Sequence, residues 1–322
     1  MEYIGITMGD PAGIGAEVAL KALNSNYNFK GKYIIYGSLN VLEYYINLLN
    51  IKKSINVIKN ISEFDERTIN IFNVYNVDLD KFKIGKISPI CGLAAYKYIE
   101  AAIRDALNGN IGAIVTAPIN KEALHLSGHN FNGHTEIFAK LTNTNKYAMM
   151  LIGGPLKVIH VSTHTSLKNA CEKVKKERVV DVIQLAYDTL KKMKIDNPRI
   201  AVAGLNPHAG ESGLFGMEEI KEIIPAIEEA KKLNINVEGP IPPDTVFIKA
   251  VKNYYDIIVV MYHDQGHIPV KLLGFDTGVN ITVGLPIVRT SVDHGTAFDI
   301  AGKGIANEKS MVEAMKTAEL FL

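Results

Sequence analysis

Tyr254-Tyr-Asp-Ile-Ile-Val-Val-Met-Tyr-His-Asp-Gln-Gly-His-Ile-Pro-Val-Lys271 decides how this chain folds. Its first part, Ile257 to Met261, is an unbroken apolar run of strand length, too short for an ordinary helix. The stretch then turns abruptly polar and puts His263, Asp264, Gln265 and His267 just beyond the strand's carboxyl end. In open parallel α/β sheets, ligands bind outside that end. The arrangement recurs in Val158-Ile-His-Val-Ser-Thr-His164 and in Ile200-Ala-Val-Ala-Gly-Leu-Asn-Pro-His208, each an apolar run that stops at a histidine. Three strands carrying a histidine to one edge would set up a site for one divalent metal.

Strand and helix patterns alternate on either side of this stretch. Tyr3 to Thr7, Lys32 to Tyr36, Gly112 to Thr116 and Val279 to Gly284 read as strands, with Ile55 to Ile58 and Ile69 to Val74 at the rim. Helical spacing marks Ala16 to Leu23, Leu39 to Leu49, Gly92 to Leu107, Lys173 to Met193, Glu218 to Leu233 and about Glu308 to Phe321. Met149 to Ile152 and Lys157 to Val161 read as a hairpin across Gly153-Gly154. Asp244 reads as the N-cap of a helix over Thr245 to Val251, and Pro286 to Gly295 as an irregular polar segment. The alternation predicts a doubly wound α/β architecture. With no linker or repeat, residues 1–322 read as one unit, in which two lobes share a mostly parallel sheet system.

The bulk composition narrows the partners. Of 322 residues 47% are hydrophobic and 21% charged, as in an ordinary globular protein. Lys plus Arg (35) nearly balances Asp plus Glu (34), so no basic surplus points to nucleic acid. No apolar run approaches the ~20 residues that span a bilayer. The N-terminal residues enter a strand almost at once, without the pattern of a signal peptide, and Cys91 and Cys171 form no framework or CxxC pair. A cytoplasmic location is expected.

Imidazoles suit zinc or a similar first-row ion, and three of them leave positions open for substrate or water. Asp264 and Gln265 stand where they could orient an imidazole. Lys271, Asn280 and Arg289 add polar and cationic groups for a small anion. Asp244, beyond its capping role, offers a carboxylate near the same edge. His125 and His129, spaced for a two-histidine site, are interrupted by Gly128 and lack a following Glu, so a structural role is favoured. Gly9-Asp-Pro-Ala-Gly-Ile-Gly15 resembles neither a dinucleotide fingerprint nor a Walker loop, and a tight β–α turn accounts for it as well as an anion site does.

Six motifs carry a family resemblance: Gly9-Asp-Pro-Ala-Gly-Ile-Gly15, Thr116-Ala-Pro-Ile-Asn-Lys121, Gly133-His-Thr-Glu136, Asn206-Pro-His-Ala-Gly210, Tyr262-His-Asp-Gln-Gly266 and Arg289-Thr-Ser-Val-Asp-His-Gly-Thr296. Together they closely resemble the 4-hydroxythreonine-4-phosphate dehydrogenase family over essentially the whole chain. The resemblance implies an isocitrate/isopropylmalate dehydrogenase-like fold of two α/β/α lobes with a cleft between them. It implies a homodimer with active sites at the interface, NAD or NADP as oxidant, and one divalent ion (zinc, magnesium or cobalt). The implied metal ligands are His164, His208 and His263, and the implied substrate contacts are His134, Thr135, Lys271, Asn280 and Arg289. The general base is left among Lys271, Asp244 and Asp264, and no cofactor-binding residue is assigned.

The implied reaction oxidises 4-phosphooxy-L-threonine at C3 and then loses CO2, on the way to pyridoxal phosphate. Gln265 to Phe275 and Ala297 to Gly302 depart from that pattern and look more like members acting on 4-phospho-D-threonate or 4-phospho-D-erythronate in sugar-acid breakdown, which give dihydroxyacetone phosphate and CO2. A metal-dependent hydrolase is the alternative from another class, since three histidines and a bound water serve that chemistry too.

Overall fold

A computed structural model describes residues 3–274 and 277–322. Phe275, the last residue of the departing segment, lies outside the described residues. The chain divides into two compact units, one made of the residues up to Thr144 together with Leu285–Leu322, the other of Asn145–Gly284.

The first unit begins with β1 (Tyr3–Thr7), α1 (Gly15–Asn24), β2 (Lys32–Gly37), α2 (Leu39–Leu48), β3 (Ile55–Val57) and β4 (Ile69–Asn73). It continues with α3 (Pro89–Leu107), β5 (Ala113–Thr116), α4 (Lys121–Leu126) and α5 (His134–Leu141). The second unit holds β6 (Ala148–Gly153), β7 (Leu156–His160), α6 (Leu167–Lys173), α7 (Lys176–Lys192), β8 (Ile200–Ala203) and α8 (Ile224–Lys232). Then follow β9 (Val237–Ile241), α9 (Pro243–Val251), β10 (Ile257–Val260), α10 (His263–Gly274) and β11 (Val279–Val283). The chain returns to the first unit for β12 (Val288–Val292) and α11 (Lys309–Glu319).

Strands of the first unit run in the order β3-β4-β2-β1-β5-β12, every neighbour parallel. Consecutive residues of β1, β2 and β5 are buried, which requires cover on both faces and explains their continuous apolar reading. In the second unit the order is β11-β6-β7-β10-β8-β9. The pairs β11–β6 and β6–β7 are antiparallel, while β7–β10, β10–β8 and β8–β9 are parallel. Leu151, Val158, Ala201, Ile258 and Val260 meet Val246 and Ala250 of α9 and Val270 of α10 in one buried cluster.

Several expectations need correction. The helix expected from Lys173 to Met193 starts later, at Lys176, whose N–H is capped by Glu222 Oε2 at 2.8 Å, and a separate short helix, α6, ends at Lys173 before it. The expected irregular segment contains strand β12. Its Val-Arg-Thr-Ser-Val sequence hides burial because the polar side chains find partners inside, as Thr290 Oγ1 does in donating to the Ala314 carbonyl at 2.9 Å. Asp244 is no N-cap: α9 begins at Pro243, whose missing N–H suits the first helical position, and Asp244 falls in the first turn without a capping bond. The hairpin turn comprises Gly154 and Pro155, since Gly153 pairs with Leu156.

Candidate active site

Strands β7, β10 and β8 are parallel neighbours, so their carboxyl ends fall side by side. Side chains brace these exits. Ser162 Oγ donates to the Met261 carbonyl at 2.9 Å. Gln265 Oε1 accepts from Met261 N at 2.7 Å, and its Nε2 donates to the Gly204 carbonyl at 2.8 Å. Gln265 therefore ties the β10 exit to the β8 exit instead of orienting an imidazole. The polar stretch after β10 is itself a helix, α10, which lies close over the sheet: a Cβ at Gly266 would stand 2.8 Å from His160 Nε2.

His263 opens α10, and its Nδ1 faces Asp264 Oδ1 at 2.7 Å. A carboxylate on one ring nitrogen leaves the other to offer its lone pair. The His164 ring lies 5.6 Å from that of His263, centroid to centroid. Two imidazoles bound to one ion at about 2 Å would set their centroids about 5 Å apart in a tetrahedral shell, so this pair is close to ligand spacing.

Behind them, hydrogen bonds fix two tautomers. The Met149 carbonyl can only accept, so His160 Nδ1, 3.1 Å away, carries the proton and Nε2 accepts. His267 Nδ1, 3.1 Å from that Nε2, is then the donor. Burial first, then the nearby His267, pushes His160 down to about 3. His267 stacks on His263 with centroids 3.6 Å apart and planes 10° from parallel. Rings stacked face to face cannot aim in-plane lone pairs at one ion, so His267 supports His263 without joining it as a ligand.

His208 stands on a different kind of backbone. Across Pro207–Gly213 the chain turns left-handed: φ is 53° at His208, 53° at Ala209, 82° at Gly210, 42° at Glu211 and 56° at Ser212. Each L-residue in that conformation costs roughly 1–2 kcal/mol. The His208 ring is exposed, with Nδ1 3.2 Å from Glu211 Oε2 and Phe215 edge-on at 6.1 Å. Among the described residues no three of His, Cys, Asp and Glu stand in metal-holding geometry. The structure brings His164 and His263 together and leaves His208 turned towards Glu211 and Phe215. The donor set, two of its imidazoles facing carboxylates, is chemically suited to a first-row divalent ion.

Lys271 lies on α10, on the face of His263 and His267 at helical spacing. Asn280 is half-buried on β11, paired with Leu151 across the ladder. Asp244 is exposed on α9.

The first unit gathers the other expected contacts. Arg289, on β12, is only 3% exposed, and its Nε and Nη2 donate to Thr116 Oγ1 at 3.2 and 2.8 Å. Its guanidinium sits 5.7 Å from the Phe138 ring centre. Burial lowers the Arg289 pKa to about 9, so the group remains cationic at neutral pH. His134 and Thr135 open α5, whose N-terminus favours anions. His134 Nε2 is buried without a hydrogen-bond partner. Burial, reinforced by the Arg289 charge, holds His134 well below its usual range, against a hydrogen bond that its ring donates to the Ala117 backbone carbonyl. A buried cation, an imidazole held neutral by burial and a helix N-terminus in one unit are groups suited to an anion. His125 and His129 take structural roles: His125 Nε2 meets the Phe131 carbonyl at 2.9 Å, and His129 stacks on Tyr96 at 3.9 Å.

Asp10 was missed by sequence reasoning. It is buried in the loop after β1, where Oδ1 accepts from Ala12 N at 2.8 Å and Oδ2 has no partner. Burial pushes its carboxyl up to about 6, against hydrogen bonds from the Ala12 and Asn120 backbone. A raised carboxyl contributes stability that is fully present below its unfolded value, near 3.8, and is lost as pH rises through about 6. Asp10→Asn removes that dependence. The stability of the variant relative to the parent should rise by about 2 kcal/mol between pH 4 and pH 7 in denaturant titrations. A difference that stays flat with pH would contradict the assignment.

A family model described as "Pyridoxal phosphate biosynthetic protein PdxA" matches residues 30–318. The D-threonate 4-phosphate dehydrogenase of Salmonella typhimurium is 47% identical over 319 residues, 98% of this chain and 97% of its own. The protein of the same name from Cupriavidus necator is 47% identical over 320 residues, 98% and 96% of the two chains. The crystal structure of 4-hydroxythreonine-4-phosphate dehydrogenase from Klebsiella pneumoniae superposes with a TM-score of 0.92 at 44% identity, covering 99% of this chain and 98% of that one. With near-complete coverage, one fold and the six motifs in place, this chain belongs to the PdxA family of dehydrogenases.

Proposed function

We propose that this protein oxidises D-threonate 4-phosphate at C3 with a nicotinamide cofactor and a divalent ion, releasing CO2. The observation that carries the reading is the buried Arg289 beside the start of α5, a cation suited to a phosphate dianion. Relatives named for D-threonate 4-phosphate, 46–51% identical, favour this substrate. A second reading, 4-hydroxythreonine 4-phosphate, rests on the names of the similar crystal structures.

The family resemblance gives His134, Thr135, Lys271, Asn280 and Arg289 as substrate contacts, and in this scheme His134, Thr135 and Arg289 bind the phosphate. His164, His208 and His263 would hold the ion, with Asp264 and Glu211 orienting two of the rings. A divalent ion held there would supply Lewis-acid polarisation of the C3 oxygen, and a nicotinamide would supply the hydride acceptor. Asp264 is engaged with His263, and Lys271, on the His263 face of α10, is proposed to take the hydroxyl proton. Absorbance at the nicotinamide wavelength with each phosphorylated acid in turn tests the substrate assignment. Faster turnover of 4-hydroxythreonine 4-phosphate would reverse it.

The dimer remains part of the proposal. Leu214 (74% exposed), Phe215, Met217 and Ile220, together with Ile268, Leu272 (80% exposed) and Leu273, leave large apolar side chains in solvent. A chain that exposes so many in two short segments is suited to burying them against a partner. Light scattering is expected to give twice the chain mass, and an active monomer at assay concentration would contradict it. Among the described residues no helix is long and apolar enough to cross a membrane.

A further inference from the structure

We infer that Glu219 is a positioning residue, whose buried carboxylate holds the left-handed turn that carries His208 and so sets where that imidazole is presented. The inference rests on the proposed role of His208 as a metal ligand. A run of left-handed residues that includes His208, Ala209, Glu211 and Ser212 persists only where the surroundings over-determine it.

Glu219 supplies that constraint from inside. It is 1% exposed, and all its partners are donors on the two residues that lead into the turn. Oε1 accepts from Leu205 N and Asn206 N, both at 2.8 Å, and Oε2 accepts from Asn206 Nδ2 at 2.8 Å. The same Asn206 amide donates to Glu218 Oε2 at 2.8 Å, so one side chain spans both carboxylates.

Packing leaves no room for another arrangement. Gly204 ends the β8 exit without a side chain, and a Cβ there would lie 2.9 Å from Ala209 Cα and 3.3 Å from Glu219 Oε1. A Cβ at Gly210 would lie 2.8 Å from Glu219 Oε2. Glu219 also begins a π-helical turn, Glu219–Ile223, just before Pro225, which has no N–H to give the preceding turn. Wide turns of this kind recur at functional sites. The carboxylate thus joins the start of one helix to the strand exit and fixes the strained segment between them. Gln265 bonds the Gly204 carbonyl, so His263's helix is tied to the same point.

The test titrates metal-free full-length protein with Co2+ against a chromophoric chelator, recording the visible cobalt spectrum and the melting temperature of each metal-free variant. Glu219→Gln keeps the size but sets an amide NH2 against the Asn206 NH2. It should bind Co2+ about 10–100-fold more weakly, with an altered cobalt spectrum, when measured well below its metal-free melting temperature, where the variant is folded. Wild-type affinity and spectrum in Glu219→Gln, alongside weakened binding in His208→Ala, would overturn the positioning role alone. Wild-type binding in His208→Ala would instead overturn the ligand assignment beneath it. If Glu219→Gln does not fold, Asn206→Ala spares both backbone bonds to Glu219. It should weaken Co2+ binding several-fold, and wild-type affinity there would equally overturn the inference.

Discussion

His263→Ala, His164→Ala and His208→Ala are each expected to lose bound metal and activity together, with metal affinity falling by more than about 100-fold. Removing one of three protein ligands leaves an incomplete shell, a larger loss than disturbing an outer partner, which costs 10–100-fold. His263 should show the fullest effect, because it faces both Asp264 and His164. His267→Ala is the internal control: its ring is stacked parallel to His263 and cannot share an ion with it, so metal should remain even if turnover falls. His125→Ala and His129→Ala, whose rings are engaged with Phe131 and Tyr96, should also keep theirs. Elemental analysis of the six purified variants checks this, and full metal in the His208 variant would show that a ligand has been misassigned.

Arg289→Met should cost roughly 2–5 kcal/mol in kcat/KM, the range for truncating one partner of a buried charge pair. The guanidinium is buried against Thr116 at the end of β5, where water cannot replace it, and its loss removes both donors to Thr116 Oγ1. Arg289→Lys should recover little, since a single ammonium cannot reproduce the fork that holds Thr116 and presents a further face. The wild-type preference for a phosphorylated over an unphosphorylated substrate should collapse in Arg289→Met. Equal turnover of both acids by the wild-type protein would remove the basis for an anion pocket.

Much of the fold was legible because strand ends carry strong signals. Ile257 to Met261, Ile200 to Ala203 and Val158 to Val161 read as buried strands from apolar runs alone, and the parallel order β7-β10-β8 sets their exits side by side. Helix α10, immediately after β10, was not legible. The sequence from His263 to Gly274 contains Pro269 and two glycines and has a polar face, so propensity argued against the helix that tertiary contact imposes. That miss concealed the helical spacing of His263, His267 and Lys271. Strand β12 was hidden for a related reason, because Arg289, Thr290 and Ser291 are buried polar residues whose partners lie far away in sequence. Glu219 and Asp10 gave no signal at all. A charged residue reads as exposed from sequence, and only the packed structure shows that Glu219 receives three donors and that one Asp10 oxygen has none.

The central claim, a metal-dependent oxidative decarboxylation, is tested most directly by product stoichiometry with D-threonate 4-phosphate, NAD and a divalent ion. One NADH and one CO2 should form for each substrate consumed, with dihydroxyacetone phosphate as the remaining product and no reaction after chelation. Release of inorganic phosphate without NADH would mean that the histidines serve a hydrolase, and would contradict the assignment of this protein as a dehydrogenase of D-threonate 4-phosphate.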